Sequence, residues 1–311
     1  MRVGIFLGIC LMGLGLTGCG QKVAEAPSEV QSNVQAEQAE SVQEIKMCMH
    51  KLPETLDPQL NVEREGAFAI THMYEGLMRQ VGEEVINGIA ESYTVSEDGL
   101  TYTFTLRDAL WSDGEEVTAT DFLEGWRQGV NPLNEGKYLK VFESSKIKNA
   151  GAIVRGEMSV NALGVLALDS KTLEVTLEEA NPEFLEYLAL ECFLPYREDN
   201  VSNTVYNGPF TLSNQSETGF TLVKNANYWN ATEVHLDNIA VEVIEDESVA
   251  NEKYLKDEIQ ILIGELAPLE DTDNLETTGS ILVHSRVEGW RLNYQDVLWL
   301  GNAYTTKQPS H

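Results

Sequence analysis

Residues 88–126 read GIAESYTVSEDGLTYTFTLRDALWSDGEEVTATDFLEGW, and the hydrophobic period changes within this stretch. Residues 101–106 alternate between threonine and an apolar side chain, which predicts a half-buried β-strand. Residues 118–121 then resemble a capping box, and Phe122 and Trp126 follow one helical turn apart. The stretch therefore predicts a strand followed by a helix.

The same two periods recur on both sides of this stretch. Strand patterns occupy residues 45–49, 173–177, 210–212, 220–223 and 239–243, and helix patterns occupy residues 66–80, 184–188 and 249–256. The polar residues 213–219, which end in glycine, predict the loop of a hairpin. No internal repeat accompanies these elements, so the sequence predicts a mixed α/β body with a sheet covered by helices.

The charge balance excludes one large class of partners. The 311 residues contain 21 Lys and Arg against 50 Asp and Glu, a formal net charge of −29 at pH 7. So negative a chain repels nucleic-acid phosphates, and no cluster of basic residues offsets that field. We therefore expect no nucleic-acid partner. The sequence also contains no HExxH pair, GxSxG elbow or Walker loop, so we expect no enzymatic activity, no metal and no cofactor.

The four cysteines, at positions 10, 19, 48 and 192, form no CxxC pair, so a structural zinc site is not expected. Two interpretations of Cys48 and Cys192 stay open. They form a disulfide outside the cytoplasm, or they are two free buried thiols. The choice depends on the distance between them, which a sequence does not give.

The N-terminal residues predict a secretory signal that ends in a lipidation site. After Arg2, an apolar run too short for a transmembrane helix leads to residues 16–19, LTGC, which resemble the bacterial lipobox. Cleavage of the signal peptide 1–18 is expected to leave Cys19 as the acylated N-terminus, and the alternative is a plain signal peptide with an incidental cysteine. Residues 19–44 contain no aromatic side chain and predict a lipid-anchored disordered tether, with a frayed helix as the alternative.

Several motifs occur together in one order. They are LDP at 56–58, MYEGL at 73–77, GIAES at 88–92, SEDGLTYTF at 96–104, WSDG at 111–114, VTATDF at 117–122, YNGPF at 206–210 and NANYW at 225–229. In these motifs the chain resembles the family 5 extracytoplasmic solute-binding proteins, the oligopeptide- and dipeptide-binding proteins of ABC importers. The resemblance implies an α/β fold of the periplasmic-binding-protein type (type II, cluster C), a mixed sheet with helices, here as the first lobe only.

The resemblance also predicts how the chain is divided. Residues 45–263 are expected to form lobe I of the solute-binding protein, with an inserted subdomain at about 77–190. Residues 264–281 are expected to be a short replacement of the family's second lobe, 282–307 a C-terminal segment that returns to lobe I, and 308–311 a tail. A lobe that has its own core can fold alone.

The resemblance implies a peptide-binding strip on lobe I. In the family, the stretch after the LDP turn lends main-chain groups to an extended peptide, and in this sequence that stretch is Asn61, Val62 and Glu63. A cleft-facing tyrosine of the family aligns with Tyr138. Four large aromatic residues are instead interpreted as core or cleft-wall packing: Trp111, Trp126, Phe210 and Trp229.

The function that the resemblance implies is the capture of short peptides and their delivery to the permease and ATPase subunits of an ABC importer. The expected location is the outer face of the cell membrane, through the lipid anchor, or the periplasmic side in a Gram-negative cell. Such proteins enclose a ligand between two lobes, so a single lobe is expected to be an impaired binder. The alternative is a non-transport surface lipoprotein or a degenerate relic that acts, if at all, in protein–protein contact.

Overall fold

The computed structural model describes residues 43–81, 84–134, 137–197, 199, 204–264, 275–278 and 281–285. The predicted signal peptide, the lipidation site Cys19 and the tether up to residue 42 lie outside the described residues, as do the residues after 285. Within the described ranges, no helix is both long enough and apolar enough to span a membrane.

Strands and helices alternate along the described chain. The strands are β1 (Glu44–Met49), β2 (Met78–Val81), β3 (Glu84–Asn87), β4 (Ala90–Val95), β5 (Thr101–Leu106), β6 (Val165–Asp169), β7 (Thr172–Thr176), β8 (Phe210–Ser216), β9 (Gly219–Lys224), β10 (Asn238–Val243), β11 (Ile261–Gly264), β12 (Leu275–Thr278) and β13 (Ile281–Ser285). The helices are α1 (Arg64–Met73), α2 (Ala119–Gly129), α3 (Leu139–Ser145), α4 (Ala150–Val154), α5 (Phe184–Tyr187) and α6 (Glu247–Leu255). Short 3₁₀ turns occupy Val160–Ala162, Glu191–Phe193 and Ala231–Glu233.

A seven-stranded mixed sheet has the strand order β12-β13-β11-β1-β10-β9-β8. Strand β1 lies at its centre and pairs in parallel with both β10 and β11, so Met47 is opposite Val241 on one side and Ile261 on the other. The other pairs in this sheet are antiparallel. Parallel neighbours need a crossover connection, and α6 lies in the connection between β10 and β11.

The side chains of β1 enter two different hydrophobic clusters, so both faces of the sheet are covered. Met47 and Met49 lie in the main core together with Phe68 of α1. Cys48, on the opposite face, packs in a smaller cluster with Tyr254 of α6. A strand that is buried on both faces contains apolar residues in succession, which explains the apolar run at residues 47–49.

A second sheet has the strand order β4-β5-β7-β6. In the sequence, this sheet and a hairpin of β2 and β3 lie between β1 and the six later strands of the larger sheet. In β5 the alternate residues Tyr102 and Phe104 are buried, as the threonine–apolar alternation predicts. Helix α2 packs against β6 and β7 and buries Phe122 and Trp126 completely. Phe104 and Met47 belong to one connected cluster of buried side chains, so the two sheets share a core.

The predicted helix over residues 66–80 is wrong in its second half. Helix α1 ends at Met73, and the next residue is extended, with φ −125° and ψ 155°. The Gly208 N–H donates to the Met73 carbonyl at 2.8 Å, and Asn207 Nδ2 donates to the Glu75 carbonyl at 2.9 Å. Gly208 and Asn207 therefore donate to the carbonyls of Met73 and Glu75, which the N–H groups of the next helical turn would bind if α1 continued.

The predicted hairpin loop over residues 213–219 is shorter in the structure. Strand β8 continues to Ser216 and β9 begins at Gly219, so the polar residues before the turn belong to the sheet. The exposed end of a strand pairs through its main chain, whether its side chains are polar or apolar. A boundary predicted from side-chain polarity therefore placed the end of β8 too early. At Gly219 φ is 151°, and a Cβ atom would lie 2.1 Å from the Val241 carbonyl oxygen.

Cys48 and Cys192 are free buried thiols, which decides between the two interpretations of the sequence. Burial raises the pKa of Cys48 to about 12, and burial also raises the pKa of Cys192. The thiolate is the reactive form of cysteine, so both side chains behave at neutral pH as inert parts of the core.

Candidate functional site

The predicted strip, residues 61–63, lies between the LDP turn and helix α1. The Asp57 carbonyl accepts hydrogen bonds from the N–H groups of Leu60 and Asn61 at 3.1 and 2.9 Å, which closes the turn directly before the strip. Helix α1 then begins at Arg64. The strip is thus a short irregular segment that is fixed at both ends.

The Asn61 side chain folds back over the strip and is almost completely buried, with 1% of the residue exposed. Its Nδ2 donates to the Glu63 carbonyl and to Glu191 Oε2, both at 2.9 Å, and its Oδ1 accepts from the Glu63 N–H at 3.2 Å. Gly66 leaves room for this amide, because a Cβ atom there would lie 2.0 Å from Asn61 Oδ1. Asn61 therefore holds the main chain of the strip.

Val62 is the part of the strip that faces solvent. The residue is 57% exposed. Within the described part of the chain, neither its N–H nor its C=O forms a hydrogen bond. A donor and an acceptor on one exposed residue can pair with the main chain of an extended peptide.

Tyr138 lies next to the strip, at the start of α3. Its hydroxyl donates to the Asn61 carbonyl, so the structure brings together two predicted site residues that are 77 positions apart in the sequence. Burial, followed by the charge of Glu191, raises the pKa of Tyr138, and the phenol stays protonated at neutral pH. The participation of these residues in ligand binding stays a prediction.

The Glu63 carboxylate is engaged with residues 51–54. Lys51 Nζ forms an ion pair with Oε1, and the Glu54 N–H donates to Oε2 at 2.9 Å. Burial raises the pKa of Glu63, but the hydrogen bonds from Lys51 and Glu54 outweigh burial and keep the pKa below its ordinary value. Glu63 therefore stays ionised and anchors the C-terminal end of the strip.

Glu191 is a neighbour of the strip that the sequence analysis missed. It begins the turn Glu191–Phe193, and its Oε2 accepts from Asn61 Nδ2 at 2.9 Å. The residue keeps some exposed surface, but its carboxyl group is largely buried. Burial raises the pKa of Glu191 to about 7, although the hydrogen bonds from Asn61 and Tyr138 lower it. The signal was a single charge within the apolar residues 188–194, LALECFL.

A depression away from the strip, open to solvent, has a volume of about 270 Å³ and is lined by Asp108, Ala109, Leu110, Glu116, Lys171, Asn227 and Trp229. None of the predicted site residues lines it. In the part of the chain that the structure describes, no group of three His, Cys, Asp or Glu side chains could hold a metal ion. The strip with Tyr138 and Glu191 is therefore the candidate site.

Comparison with known families decides the class of the protein. The sequence model of the bacterial extracellular solute-binding proteins, family 5 (Middle), matches residues 84–299. The chain belongs to this family. This is a family of extracellular solute-binding proteins and not of enzymes.

This family 5 protein is similar to curated relatives that are about twice as long. It is 31% identical over 288 residues to the oligopeptide-binding protein OppA of Bacillus subtilis (strain 168), which covers 87% of this chain and 50% of the relative. It is 33% identical over 225 residues to the probable deoxycholate-binding periplasmic protein YgiS of Escherichia coli (strain K12), which covers 68% of this chain and 42% of the relative. The chain spans about half the length of the relatives it matches.

A solved structure supports the same conclusion about the fold. The Escherichia coli murein tripeptide-binding protein MppA superposes with a TM-score of 0.69 at 31% identity, over 72% of this chain and 46% of that chain. The predicted α/β fold of the periplasmic-binding-protein type is confirmed over that part. The limits predicted for the lobe, its inserted subdomain and the C-terminal segments stay predictions.

Proposed function

We propose that this chain contributes the first lobe of an extracytoplasmic substrate-binding lipoprotein, which captures short peptides and delivers them to the permease and ATPase subunits of an ABC importer. One observation supports this above the others. Val62 presents an unpaired main-chain donor and acceptor to solvent, while Asn61 and Glu63 on either side are fixed by hydrogen bonds. Main-chain groups exposed in this way can pair with the main chain of a peptide, and the pairing discriminates little between the side chains of the peptide.

The charge of the chain favours a peptide over an anionic ligand. The relative YgiS is named as a probable deoxycholate-binding protein, so family membership alone does not decide the ligand. A bile-acid anion would approach a chain with a net charge of −29, and it has no succession of N–H and C=O groups to pair with Val62. A neutral or cationic peptide meets neither obstacle.

We expect the full chain to bind a pool of tri- to pentapeptides with a dissociation constant in the millimolar range, or roughly −4 kcal/mol. The described residues supply one wall of a site, and few contacts then oppose the entropy lost on association. Val62→Pro removes the N–H donor and should abolish the saturable heat measured by isothermal titration calorimetry. Val62→Ala keeps the N–H and should change the dissociation constant by less than about threefold.

Three results of this titration would contradict parts of the proposal. Equal heats for the parent, Val62→Ala and Val62→Pro would show that peptides bind elsewhere on the chain. Heats that never saturate for the parent would favour the second candidate, a surface lipoprotein without transport function. Binding at micromolar peptide would show that one wall contributes more than we propose.

The lipid anchor is a separate part of the proposal, and it rests on LTGC at residues 16–19. Cys19→Ala removes the thiol that is acylated, so most of the protein should leave the membrane fraction and appear in the soluble or secreted fraction. Cys10→Ala changes a cysteine within the same apolar run and should leave the distribution unchanged. A Cys19→Ala variant that fractionates with membranes as the parent does would contradict the lipoprotein assignment.

A further inference from the structure

The depression away from the strip is built by three segments that are distant in the sequence. Residues 108–116 form a small hairpin, in which Leu110 pairs with Glu116. Lys171 belongs to the turn between β6 and β7, and Asn227 and Trp229 follow β9. The volume of about 270 Å³ has room for several waters or for one amino-acid side chain, since one water takes up roughly 30 Å³ in the liquid.

The aromatic wall of this depression is fixed in place by its neighbours. Trp229 Nε1 donates to Glu75 Oε2 at 2.9 Å, and Arg107 Cζ lies 3.7 Å from the centroid of the Trp229 ring. Asn227 Nδ2 donates to the Ser112 carbonyl at 3.0 Å and so ties this wall to the hairpin. A wall that is already ordered loses little further entropy when a ligand binds against it.

Two carboxylates at the rim keep their hydrogen-bonding capacity. Glu116 is exposed, and within the described part of the chain its side chain forms no hydrogen bond or ion pair. Asp108 Oδ1 lies 3.6 Å from Lys171 Nζ, which is too long for a hydrogen bond. The Lys171 ammonium group donates instead to the Arg107 carbonyl at 3.3 Å. The charged side chains that line the depression therefore leave it with an excess of negative charge.

This combination of groups selects one class of ligand. An anion is repelled by the rim and by a chain with a net charge of −29. A metal ion needs more ligands than two carboxylates, and the described residues contain no group of three side chains that could hold one. A neutral apolar molecule would take water from the carboxylates without replacing its hydrogen bonds. An organic cation with a flat, weakly hydrated surface satisfies both the carboxylates and the indole.

We propose that this depression is a binding site for the guanidinium group of an arginine side chain carried by a small ligand in solution. Asp108 and Glu116 accept its hydrogen bonds, and Trp229 provides the apolar wall. Arg107 is already stacked on the indole, so the attraction for a second cation comes from the carboxylates more than from the ring. The strip is not part of this site, so the inference does not rest on peptide capture by Val62.

Substitutions at the rim test the carboxylates without disturbing the core. Glu116→Gln removes one exposed charge and should weaken the binding of an arginine side chain about threefold, as for one exposed ion pair. The double substitution Asp108→Asn with Glu116→Gln should weaken it about tenfold. Glu115→Gln is the matched control, because Glu115 is exposed and adjacent in the sequence but does not line the depression.

The experiment is an NMR titration of the ¹⁵N-labelled full chain with N-acetylarginine amide, which has no charge at either end. The Trp229 indole N–H and the Asn227 side-chain amide report on the depression. We expect their signals to shift saturably, with a dissociation constant in the millimolar range. The citrulline analogue has the same length but carries no positive charge, so it should leave these signals in place.

Four results would overturn this inference. They are shifts that never saturate, equal shifts with the citrulline analogue, equal affinity of the parent and Glu116→Gln, and shifts confined to the amides of residues 61–63. The last result would place the cation at the strip and leave the proposed function standing. If the double variant does not fold, the comparison of Glu116→Gln with Glu115→Gln decides together with the citrulline analogue.

Discussion

Replacement of Trp126 by alanine should lower the free energy of unfolding by about 4 kcal/mol, which is within the range for a large buried aromatic side chain. Trp126 is completely buried in α2, its Nε1 donates to the Phe193 carbonyl at 2.8 Å, and its ring meets the Phe193 ring edge-on at 5.2 Å between centroids. Alanine leaves a cavity and also leaves a buried carbonyl without its donor. Urea unfolding followed by circular dichroism measures the change.

Trp126→Phe separates the contribution of the buried ring from the contribution of the N–H donor. Phenylalanine keeps most of the apolar ring and loses the N–H donor, so it should cost about 1–2 kcal/mol. Phe193 ends the turn that begins with Glu191, so both variants should also disturb the strip amides in NMR spectra. A loss below about 1 kcal/mol for Trp126→Ala would contradict the interpretation of this tryptophan as core packing.

The sequence predicted the elements whose boundaries are set by residues close to them in the chain. The alternation at residues 101–106 matches β5, and residues 118–121 begin α2 as predicted, with the Thr118 N–H donating to Asp121 Oδ2 at 2.8 Å. Both features are contained within six residues of sequence. Period and capping chemistry are therefore enough to predict them.

Long-range contacts fixed the features that the sequence did not predict. Residues 74–80 continue the apolar period of α1, but the chain leaves the helix because partners 132 positions away occupy the main-chain groups of Glu75. Glu191 reaches Asn61 over 130 positions, and no local pattern indicates that contact. A single charge in an apolar run indicates a buried acid, but not the residues that surround it.

The juxtaposition of Tyr138 and Asn61 came from the resemblance and not from residue patterns. A motif that matches a family implies the fold of that family, and the fold determines which distant residues are neighbours. Hydrophobic periodicity describes only one helix or strand at a time. The same reason explains why YNGPF and MYEGL were informative together. In the structure they are in direct contact, since Gly208 and Asn207 bind the main chain at the end of α1.

Replacement of Asn207 by alanine should lower the free energy of unfolding by about 3 kcal/mol, because two buried main-chain groups lose their partners. Asn207 is completely buried. Its Oδ1 accepts from the Glu75 N–H at 3.1 Å and its Nδ2 donates to the Glu75 carbonyl at 2.9 Å, so one side chain satisfies both polar groups of one peptide segment. Glu75 itself accepts a hydrogen bond from Trp229 Nε1 at 2.9 Å, so the loss should spread to a third segment.

Asn214→Ala is the matched control for this prediction, since it makes the same substitution at an exposed position of β8 and should change the stability by less than about 0.5 kcal/mol. Asn207→Asp keeps an acceptor for the Glu75 N–H, but it loses the donor to the Glu75 carbonyl and buries a carboxyl group, so it should be destabilised at neutral pH and recover partly as the pH falls and the acid gains a proton. Urea unfolding at pH 5 and pH 8 distinguishes these cases. Equal stability of Asn207→Ala and Asn214→Ala would show that the contact between YNGPF and MYEGL does not hold α1 and β8 together.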